Sequence, residues 1–179
     1  MSESTALPIP LDDGAAAHLA GTRIPSLALP ATDGTSVDLS TIPGLVVVFA
    51  YPRTGRPGEP SLTDDWDTIP GARGCTPQTC SFRDLHADFA ARGARVYGLS
   101  TQDTDYQREM VERLHVPFPV LSDAQLRLAH ALRLPTFDAA GLTLLKRMAW
   151  IARDGVIERV FYPVFPPERN ADDVLAALS

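Results

Sequence analysis

Two cysteines with an unusual spacing are the first candidates for chemistry in this chain. Cys75 and Cys80 lie five positions apart, and an amphipathic helical run follows them as far as Gly93. Thr76 is a suitable N-cap, and Pro77 suits the first helical position because proline lacks the N–H that would be unpaired there. Cys75 is therefore expected just outside a helix N-terminus, where unpaired backbone N–H groups and the helix dipole favour a thiolate.

The spacing of the cysteines limits the bond that they can form. Five residues along a continuous helix give a Cα separation of roughly 8 to 9 Å, beyond the ~7 Å that a disulfide can bridge. A Cys75–Cys80 bond therefore requires the first helical turn to unwind, which favours a transient disulfide over a permanent one. The neighbours of Cys75 are polar, so a reactive role is favoured over that of a small buried hydrophobe.

Arg147 is the third residue with candidate chemistry. It lies in the apolar run TLLKRMAWIA, where strand alternation places it on one face with Leu145, Ala149 and Ile151. An arginine on a buried face is costly without compensation, so it either forms a salt bridge with a carboxylate or binds another anion. Beside the cysteines, the favoured interpretation is a catalytic cation that stabilises thiolate and substrate.

Other kinds of site fit the spacing less well. A metal site at Cys75, Cys80 and His86 lacks a fourth ligand and has no zinc-binding spacing. A protease-like Cys–His pair lacks a third residue to orient it. The only lysine, Lys146, is followed by Arg147, so the chain has no G-K-[ST] phosphate-binding loop.

Composition sets the broad class of the protein. The chain has 179 residues and a net charge of −6, which suits one acidic domain without a nucleic-acid or membrane partner. No basic stretch followed by an apolar one opens the sequence, so no signal peptide is expected and the predicted location is cytoplasmic. In the cytosol, two cysteines close in sequence are more often catalytic or metal-binding than a structural disulfide.

The elements that must position these residues alternate between strands and helices after an N-terminal tail, residues 1–20. The predicted strands are 24–29, 35–39, 45–50, 95–100, 120–121, 143–153 and 156–162, and the helices after the cysteine helix are 103–114, 122–134 and 172–178. The apolar run 45–50 is predicted to be a buried central strand. This order indicates an α/β fold with a mixed central sheet flanked by helices.

An irregular segment, residues 53–73, separates the central strand from the cysteines. It is rich in proline and glycine and carries an acidic cluster around Trp66. Loops of this length tend to be functional lids or disordered. The acidic cluster could bind a cation, although a solvated loop is the favoured interpretation.

Five stretches of the chain carry a family resemblance. They are VVVFAYP at 46–52, GCTPQTCSFRD at 74–84, YGLST at 97–101, PFPVLSD at 117–123 and KRMAWIARDGVI at 146–157. With these motifs in this order, the chain from about Gly21 to Leu178 resembles the peroxiredoxins, specifically the peroxiredoxin Q or bacterioferritin-comigratory-protein subfamily. The two-cysteine motif is specific to that subfamily.

The resemblance implies a thioredoxin fold for residues 21–179 and a thiol peroxidase activity on hydrogen peroxide and organic hydroperoxides. It implies that Cys75 is the peroxidatic cysteine and Cys80 the resolving one, that Arg147 is the active-site arginine, and that Pro52 opens the active-site loop. Cys75 sulfenic acid would condense with Cys80 to an intramolecular disulfide, which thioredoxin or a similar dithiol would reduce. The resemblance implies no cofactor or metal, and a monomer or weak homodimer.

The sequence departs from the family pattern before the peroxidatic cysteine. The family has Thr or Ser three residues before it, where this chain has Ala72, and its proline lies seven positions before it. Here Pro52 and Cys75 are 23 positions apart, so the alignment places a 16-residue insertion within the 53–73 loop. Thr54 is the candidate to supply the missing hydroxyl; Thr68, or no replacement, are the alternatives.

Two other functions remain open on the sequence alone. One is a redox sensor or regulatory binding protein, in which the same cysteines report oxidation to a partner. The other is a protein dithiol–disulfide oxidoreductase, although that chemistry usually uses C-x-x-C and this chain has C-x-x-x-x-C.

Overall fold

A computed structural model describes residues 6–178 of the chain, so the first part of the predicted tail and the last residue lie outside the described range. In chain order the elements are β1 (Ala28–Pro30), β2 (Ser36–Asp38), β3 (Leu45–Ala50), α1 (Cys75–Asp84), α2 (His86–Ala91), β4 (Ala94–Ser100), α3 (Thr104–Leu114), β5 (Val120–Ser122), α4 (Arg127–Leu132), β6 (Thr136–Ala139), β7 (Leu142–Leu145), β8 (Met148–Arg153), β9 (Val156–Phe161) and α5 (Asn170–Ala177). Single 3₁₀ turns lie at Leu39–Thr41, Trp66–Thr68 and Pro167–Arg169.

A five-stranded mixed sheet forms the centre of the fold, in the order β5-β4-β3-β8-β9. The pairs β3–β4 and β4–β5 are parallel, whereas β3–β8 and β8–β9 are antiparallel. Two small hairpins, β1–β2 and β6–β7, lie outside this sheet. The predicted α/β fold with a mixed sheet is confirmed, and the run 45–50 is its middle strand.

The two faces of the sheet carry separate hydrophobic cores, because successive side chains of a strand point in opposite directions. Val46 and Val48 of β3 lie in one core, while Val47 and Phe49 lie in the other. In the second core Phe49 stacks on Phe82 of α1, with ring centroids 4.3 Å apart. This contact fixes the C-terminal half of the cysteine helix to the sheet.

The helix that carries the cysteines is shorter than predicted. Cys75 is its first residue, and the N-cap is Gly74 rather than Thr76. Gly74 has φ 116°, a left-handed conformation that glycine adopts readily, and a Cβ at this position would overlap the ring of Pro167. The helix ends at Asp84, and α2 continues the predicted run as a separate helix.

The predicted strand 143–153 is two strands, β7 and β8, with a bend between them at Arg147. Strand β7 leaves the main sheet to pair with β6, a strand that the sequence analysis missed. Ala149 and Ile151 lie together in one core, the one that contains Cys75, so the prediction that they share a face is confirmed. Leu145 lies in the opposite core because the bend interrupts the alternation, so that part of the prediction is wrong.

The predicted helix 122–134 begins later, as α4. Asp123 fixes its start, because its carboxylate accepts hydrogen bonds from the N–H groups of Leu128 at 3.1 Å and Ala129 at 2.8 Å. Ser122, the predicted cap, belongs to β5. Over residues 6–178, no helix combines the length and the apolar character that a membrane crossing needs.

Candidate active site

Cys75 and Arg147 meet in the second core, at the start of α1. Their side chains are both buried, with Cys75 4% and Arg147 3% exposed. The Nη2 group of Arg147 lies 3.2 Å from the Sγ of Cys75 and donates to the backbone oxygens of Gly71 and Ala72, also at 3.2 Å. The two residues that sequence reasoning selected independently therefore form one site, 72 positions apart in the chain.

The environment of Arg147 distinguishes between the two interpretations of its charge. Within residues 6–178 no carboxylate forms a salt bridge with it, and its polar contacts are carbonyl oxygens, the side-chain amide of Gln78 and the sulfur of Cys75. A buried cation without a carboxylate favours an anion in contact with it. Among these contacts the only side chain that can act as a nucleophile is Cys75, so the geometry favours the interpretation of Arg147 as a cation that serves the cysteine.

Two buried side chains that the sequence analysis did not select extend this contact to the C-terminal helix. The Oε1 of Gln78 accepts from Nη1 of Arg147, and its Nε2 donates to Oδ1 of Asn170 at 2.9 Å. Gln78 has no exposed surface and Asn170 is 2% exposed. No local sequence pattern marks either residue as buried, so the sequence carried no signal that could have identified them.

Thr54 lies on the other side of the site, two residues after the buried Pro52. It is 1% exposed, and its N–H and hydroxyl both donate to the Oε1 of Gln102, at 3.1 Å and 3.3 Å. The Nε2 of Gln102 donates back to the backbone oxygen of Thr54 at 3.0 Å. Gln102, which sequence reasoning missed, thus holds the start of the long loop in place.

The hydroxyl of Thr68, the alternative candidate, forms its hydrogen bond within the long loop. Thr68 is exposed, and its hydroxyl donates to the backbone oxygen of Asp65 at 2.7 Å. Thr54, in contrast, lines the same cleft as Cys75. Ala72 is fully buried and has no hydroxyl, and its backbone oxygen accepts from Arg147 at 3.2 Å and from the Sγ of Cys75 at 3.7 Å. Of the two threonines, Thr54 is therefore the one positioned beside the cysteine.

The cleft above Cys75 is open to solvent and has a volume of about 890 Å³. Its walls come from four parts of the chain: the N-terminal residues Ala6 and Leu7, the long loop, the start of α1 and the turn that precedes α5. Residues that line it include Arg53, Thr54, Trp66, Cys75 and Pro167. A small hydroperoxide needs only a fraction of this space, so bulkier molecules can also approach the sulfur.

The long loop is packed against the protein through a small core of its own. Trp66 is 9% exposed and lies with its ring centroid 6.2 Å from that of Phe137, on β6. Ala72 and Leu144 complete the buried cluster. The β6–β7 hairpin therefore supports the loop. The acidic cluster of the loop is solvent-exposed, including Asp67, which pairs with Arg73 at 3.3 Å.

We expect Trp66→Ala to release this loop. The substitution removes the largest buried side chain of the loop core, and deleting a buried aromatic ring destabilises by several kcal/mol when the site cannot collapse. Limited trypsin digestion should cut after Arg73 at least about tenfold faster than in the wild type, the factor that corresponds to ~1.4 kcal/mol of local stability. Trp66→Phe, which keeps an aromatic ring against Phe137, is the matched control; equal cleavage rates in all three proteins would contradict the packing account.

The N-terminal segment is bound to the protein next to Arg147, through contacts of Asp13 with Lys146 and Tyr162. Asp13 accepts a hydrogen bond from the hydroxyl of Tyr162 at 2.8 Å and forms a salt bridge with Lys146 at 3.0 Å. These contacts, with that of Tyr162 the larger, lower the pKa of Asp13 from 3.8 to about 2. Because the carboxylate form is favoured in the folded protein, the contacts of Asp13 with Tyr162 and Lys146 are present at neutral pH. They are lost only as the pH falls toward 2.

Cys80 lies on the same continuous helix as Cys75 and is partly exposed. Both cysteines are free thiols, and their separation along α1 exceeds the reach of a disulfide. Because Phe82 fixes the later part of α1 to the sheet, unwinding of its first turns is the motion that could join them. Within residues 6–178 no cluster of three metal-ligating side chains occurs, and the ring of His86 lies against Phe118 with centroids 5.8 Å apart.

The arrangement combines a nucleophile, a cation and backbone donors. Cys75 lies at the N-terminus of α1, where main-chain N–H groups are free of helical partners, and Arg147 faces its sulfur. Such a site can stabilise negative charge both on the attacking sulfur and on an atom that leaves during the reaction. Its chemistry is nucleophilic attack by sulfur, followed by bond formation with a second thiol.

Comparison with protein families gives one match. The family model described as Redoxin matches residues 19–175. Peroxiredoxin Q, chloroplastic, of Populus jackii is 31% identical over 160 residues, which cover 88% of this chain and 67% of that protein. The peroxiredoxin Q of Sedum lineare is 30% identical over 160 residues, 88% of this chain and 76% of that protein. The chain thus spans about two thirds to three quarters of the length of these plant relatives.

A solved structure has the same fold. The peroxidoxin BcpB from Mycobacterium tuberculosis superposes with a TM-score of 0.72 at 29% identity, covering 90% of this chain and 97% of that one. The fold of the described residues is therefore the thioredoxin fold that the sequence motifs implied.

Proposed function

Because the chain belongs to the Redoxin family and, within it, to the peroxiredoxin Q subfamily, we propose that the protein is a thiol-dependent peroxidase. Its substrates are hydrogen peroxide and organic hydroperoxides, and its reductant is thioredoxin or a similar dithiol. The single observation that carries the proposal is the contact of 3.2 Å between Arg147 and the sulfur of Cys75 at the N-terminus of α1.

In the first step the thiolate of Cys75 attacks one oxygen of the hydroperoxide. A sulfur–oxygen bond forms as the O–O bond breaks, the sulfur is oxidised by two electrons, and water or an alcohol leaves after taking up a proton. Arg147 and the N–H groups at the start of α1 stabilise the negative charge that passes from sulfur to the leaving oxygen. Thr54 lines the cleft on the side of the long loop, where its N–H, carbonyl and hydroxyl are held by Gln102, and Pro52 precedes it at the start of that loop.

In the second step Cys80 resolves the sulfenic acid. The start of α1 unwinds, the sulfur of Cys80 attacks that of Cys75, and the S–O bond breaks with release of water. The product is an intramolecular disulfide, and an external dithiol returns both cysteines to thiols by exchange. None of these steps requires a metal or an organic cofactor.

The test is peroxide consumption in the presence of a thioredoxin system, with Cys80→Ser as the comparison. We expect the wild type to turn over peroxide continuously, because each disulfide is reduced. Cys80→Ser should consume about one equivalent at the wild-type rate and then stop, because its sulfenic acid has no resolving partner.

Other outcomes identify the alternatives. Oxidation of Cys75 without continuous turnover in the wild type would indicate a redox sensor. Reduction of insulin disulfides without consumption of peroxide would indicate a dithiol–disulfide oxidoreductase. Either result would overturn the peroxidase proposal.

We also propose that the protein acts in the cytoplasm as a monomer or weak homodimer. The cysteine usage supports the compartment, since thiols that cycle through a disulfide need a reducing pool. Sedimentation at micromolar concentrations tests the assembly, and fractionation of the source cells tests the location.

A further inference from the structure

Gln78 links the active site to the C-terminal helix. It lies between the two cysteines on α1, has no exposed surface, and uses both ends of its amide: Oε1 accepts from Arg147, and Nε2 donates to Asn170 at 2.9 Å. We call these two hydrogen bonds the Gln78 bridge. Through it, the first turns of α1 are tied to the first residue of α5, 92 positions away in the chain.

A steric contact reinforces the bridge. Pro167, in the turn that leads into α5, packs against the N-cap of α1 so closely that a Cβ on Gly74 would overlap its ring. The segment Pro167–Asn170 therefore holds the start of α1 at two points, one through packing and one through a hydrogen bond. Asn170 is itself 2% exposed, so water does not replace it readily.

The bridge conflicts with the second step of the proposed reaction. For Cys80 to reach Cys75, residues 75–79 must leave the helix, and Gln78 lies in the middle of them. Its departure deprives Oδ1 of Asn170 of its donor and Nη1 of Arg147 of its acceptor, while Nη2 of Arg147 keeps the oxygens of Gly71 and Ala72. Because buried polar groups without partners are costly, the bridge stabilises the helical form against the unwound one.

We infer that Asn170 is a positioning residue that sets the rate of disulfide formation. The inference rests on the proposed function, because it concerns the condensation of Cys75 sulfenic acid with the Cys80 thiol, which forms an S–S bond and releases water. With the bridge intact, α1 stays helical and Arg147 stays on the sulfur while peroxide reacts. The bridge also lengthens the lifetime of the sulfenic acid, during which a second peroxide can oxidise it to sulfinic acid.

The variant that tests this is Asn170→Ala. Loss of one buried hydrogen bond should raise the first-order rate of Cys75–Cys80 disulfide formation by about 3- to 10-fold. The second-order rate of Cys75 oxidation should stay within about twofold of wild type, because Arg147 keeps its contact with the sulfur. Rapid mixing with acid quench, alkylation and peptide mass analysis measures both rates, together with the sulfinic fraction, which should fall.

Two control variants separate the bridge from general loosening. Asn170→Asp keeps an oxygen acceptor for Gln78 and should condense at close to the wild-type rate. Val174→Ala removes a buried methyl pair from α5 but leaves the bridge intact, so it should also condense at the wild-type rate. Equal acceleration in Val174→Ala, or an unchanged rate in Asn170→Ala, would overturn the inference.

Hydrogen exchange in the reduced protein tests the bridge independently of peroxide chemistry. Asn170→Ala, or Asn170→Ser if the alanine variant does not fold, should speed exchange of the amides of residues 78–80, the first hydrogen-bonded ones of α1, by a similar factor, while those of β3 stay protected. Unchanged exchange would refute the bridge even in an active peroxidase. If Asn170→Ala exchanges faster but the wild type shows no peroxidase turnover, the proposed function is refuted while the Gln78 bridge is supported.

Discussion

Cys75→Ser is expected to abolish peroxide turnover, with a loss of about 10³-fold or more relative to wild type. A serine hydroxyl fits the same buried position at the start of α1, but it does not ionise near neutral pH, so Arg147 and the helix N-terminus have no anion to stabilise. Stopped-flow measurement of peroxide consumption under pseudo-first-order conditions gives the rate. Because the substitution is nearly isosteric, the fold should be preserved.

The Cys80→Ser variant provides the matched control for this loss. It changes the other cysteine of the same helix in the same way, yet should keep the first oxidation at the wild-type rate. If Cys75→Ser still consumed peroxide at the wild-type rate, or if Cys80→Ser alone lost the first oxidation, the assignment of the nucleophile to Cys75 would be wrong.

Arg147→Ala should have the second largest effect, a decrease of about 10² to 10³-fold in kcat/KM for the oxidation of Cys75. The substitution removes the cation in contact with the sulfur, together with the donors to Gly71, Ala72 and Gln78. The thiolate and the developing charge on the leaving oxygen then lose their strongest partner. The decrease should appear in the second-order step and be similar for hydrogen peroxide and for a small organic hydroperoxide.

Two further variants define the cause of that decrease. Arg147→Lys keeps the charge but cannot make the forked contacts, so it should recover only part of the rate. Arg153→Ala removes the arginine at the far end of β8, the strand that begins directly after Arg147. Arg153 forms only a half-exposed pair with Glu158 at 2.9 Å, so this variant should leave kcat/KM unchanged. An Arg147→Ala enzyme as fast as Arg153→Ala would exclude a catalytic role for the buried cation.

The sequence was sufficient for the parts of the molecule that depend on local pattern. The apolar run 45–50 identified the middle strand of the sheet, because only a strand buried on both faces carries such a run. Strand alternation placed Ala149 and Ile151 on one face, and both lie in the core that contains Cys75. The contact between Arg147 and Cys75 also depends on the pairing of β8 with β3, which no local pattern predicted.

The parts that the sequence did not predict depend on contacts between distant residues. The sequence pattern predicted Thr76 as the N-cap, whereas the N-cap is Gly74. A side chain at this position would overlap the ring of Pro167, a residue far along the chain, and the sequence pattern does not show that contact. Gln102 holds Thr54 from 48 positions away, and Asn170 holds Gln78 from 92. No local pattern marks these polar residues as buried.

The long loop was the least predictable element. Its length and its prolines suggested a lid or disorder, because a loop of this kind usually lacks a core of its own. The ring of Trp66 packs against Phe137 on β6. The sequence analysis did not predict this strand and left its residues in the connection between helix 122–134 and strand 143–153. Once that hairpin is in place, the loop has an apolar platform and one wall of the cleft becomes fixed.

The most direct measurement is the mass of a single tryptic peptide after one equivalent of peroxide. Cleavage after Arg73 and Arg83 releases residues 74–83, which carry both cysteines. The account predicts that this peptide, from protein alkylated after oxidation, carries no alkyl group and is lighter than the dithiol peptide by two hydrogen atoms, as an internal Cys75–Cys80 disulfide requires. A peptide alkylated on both cysteines, with the peroxide still present, would contradict it.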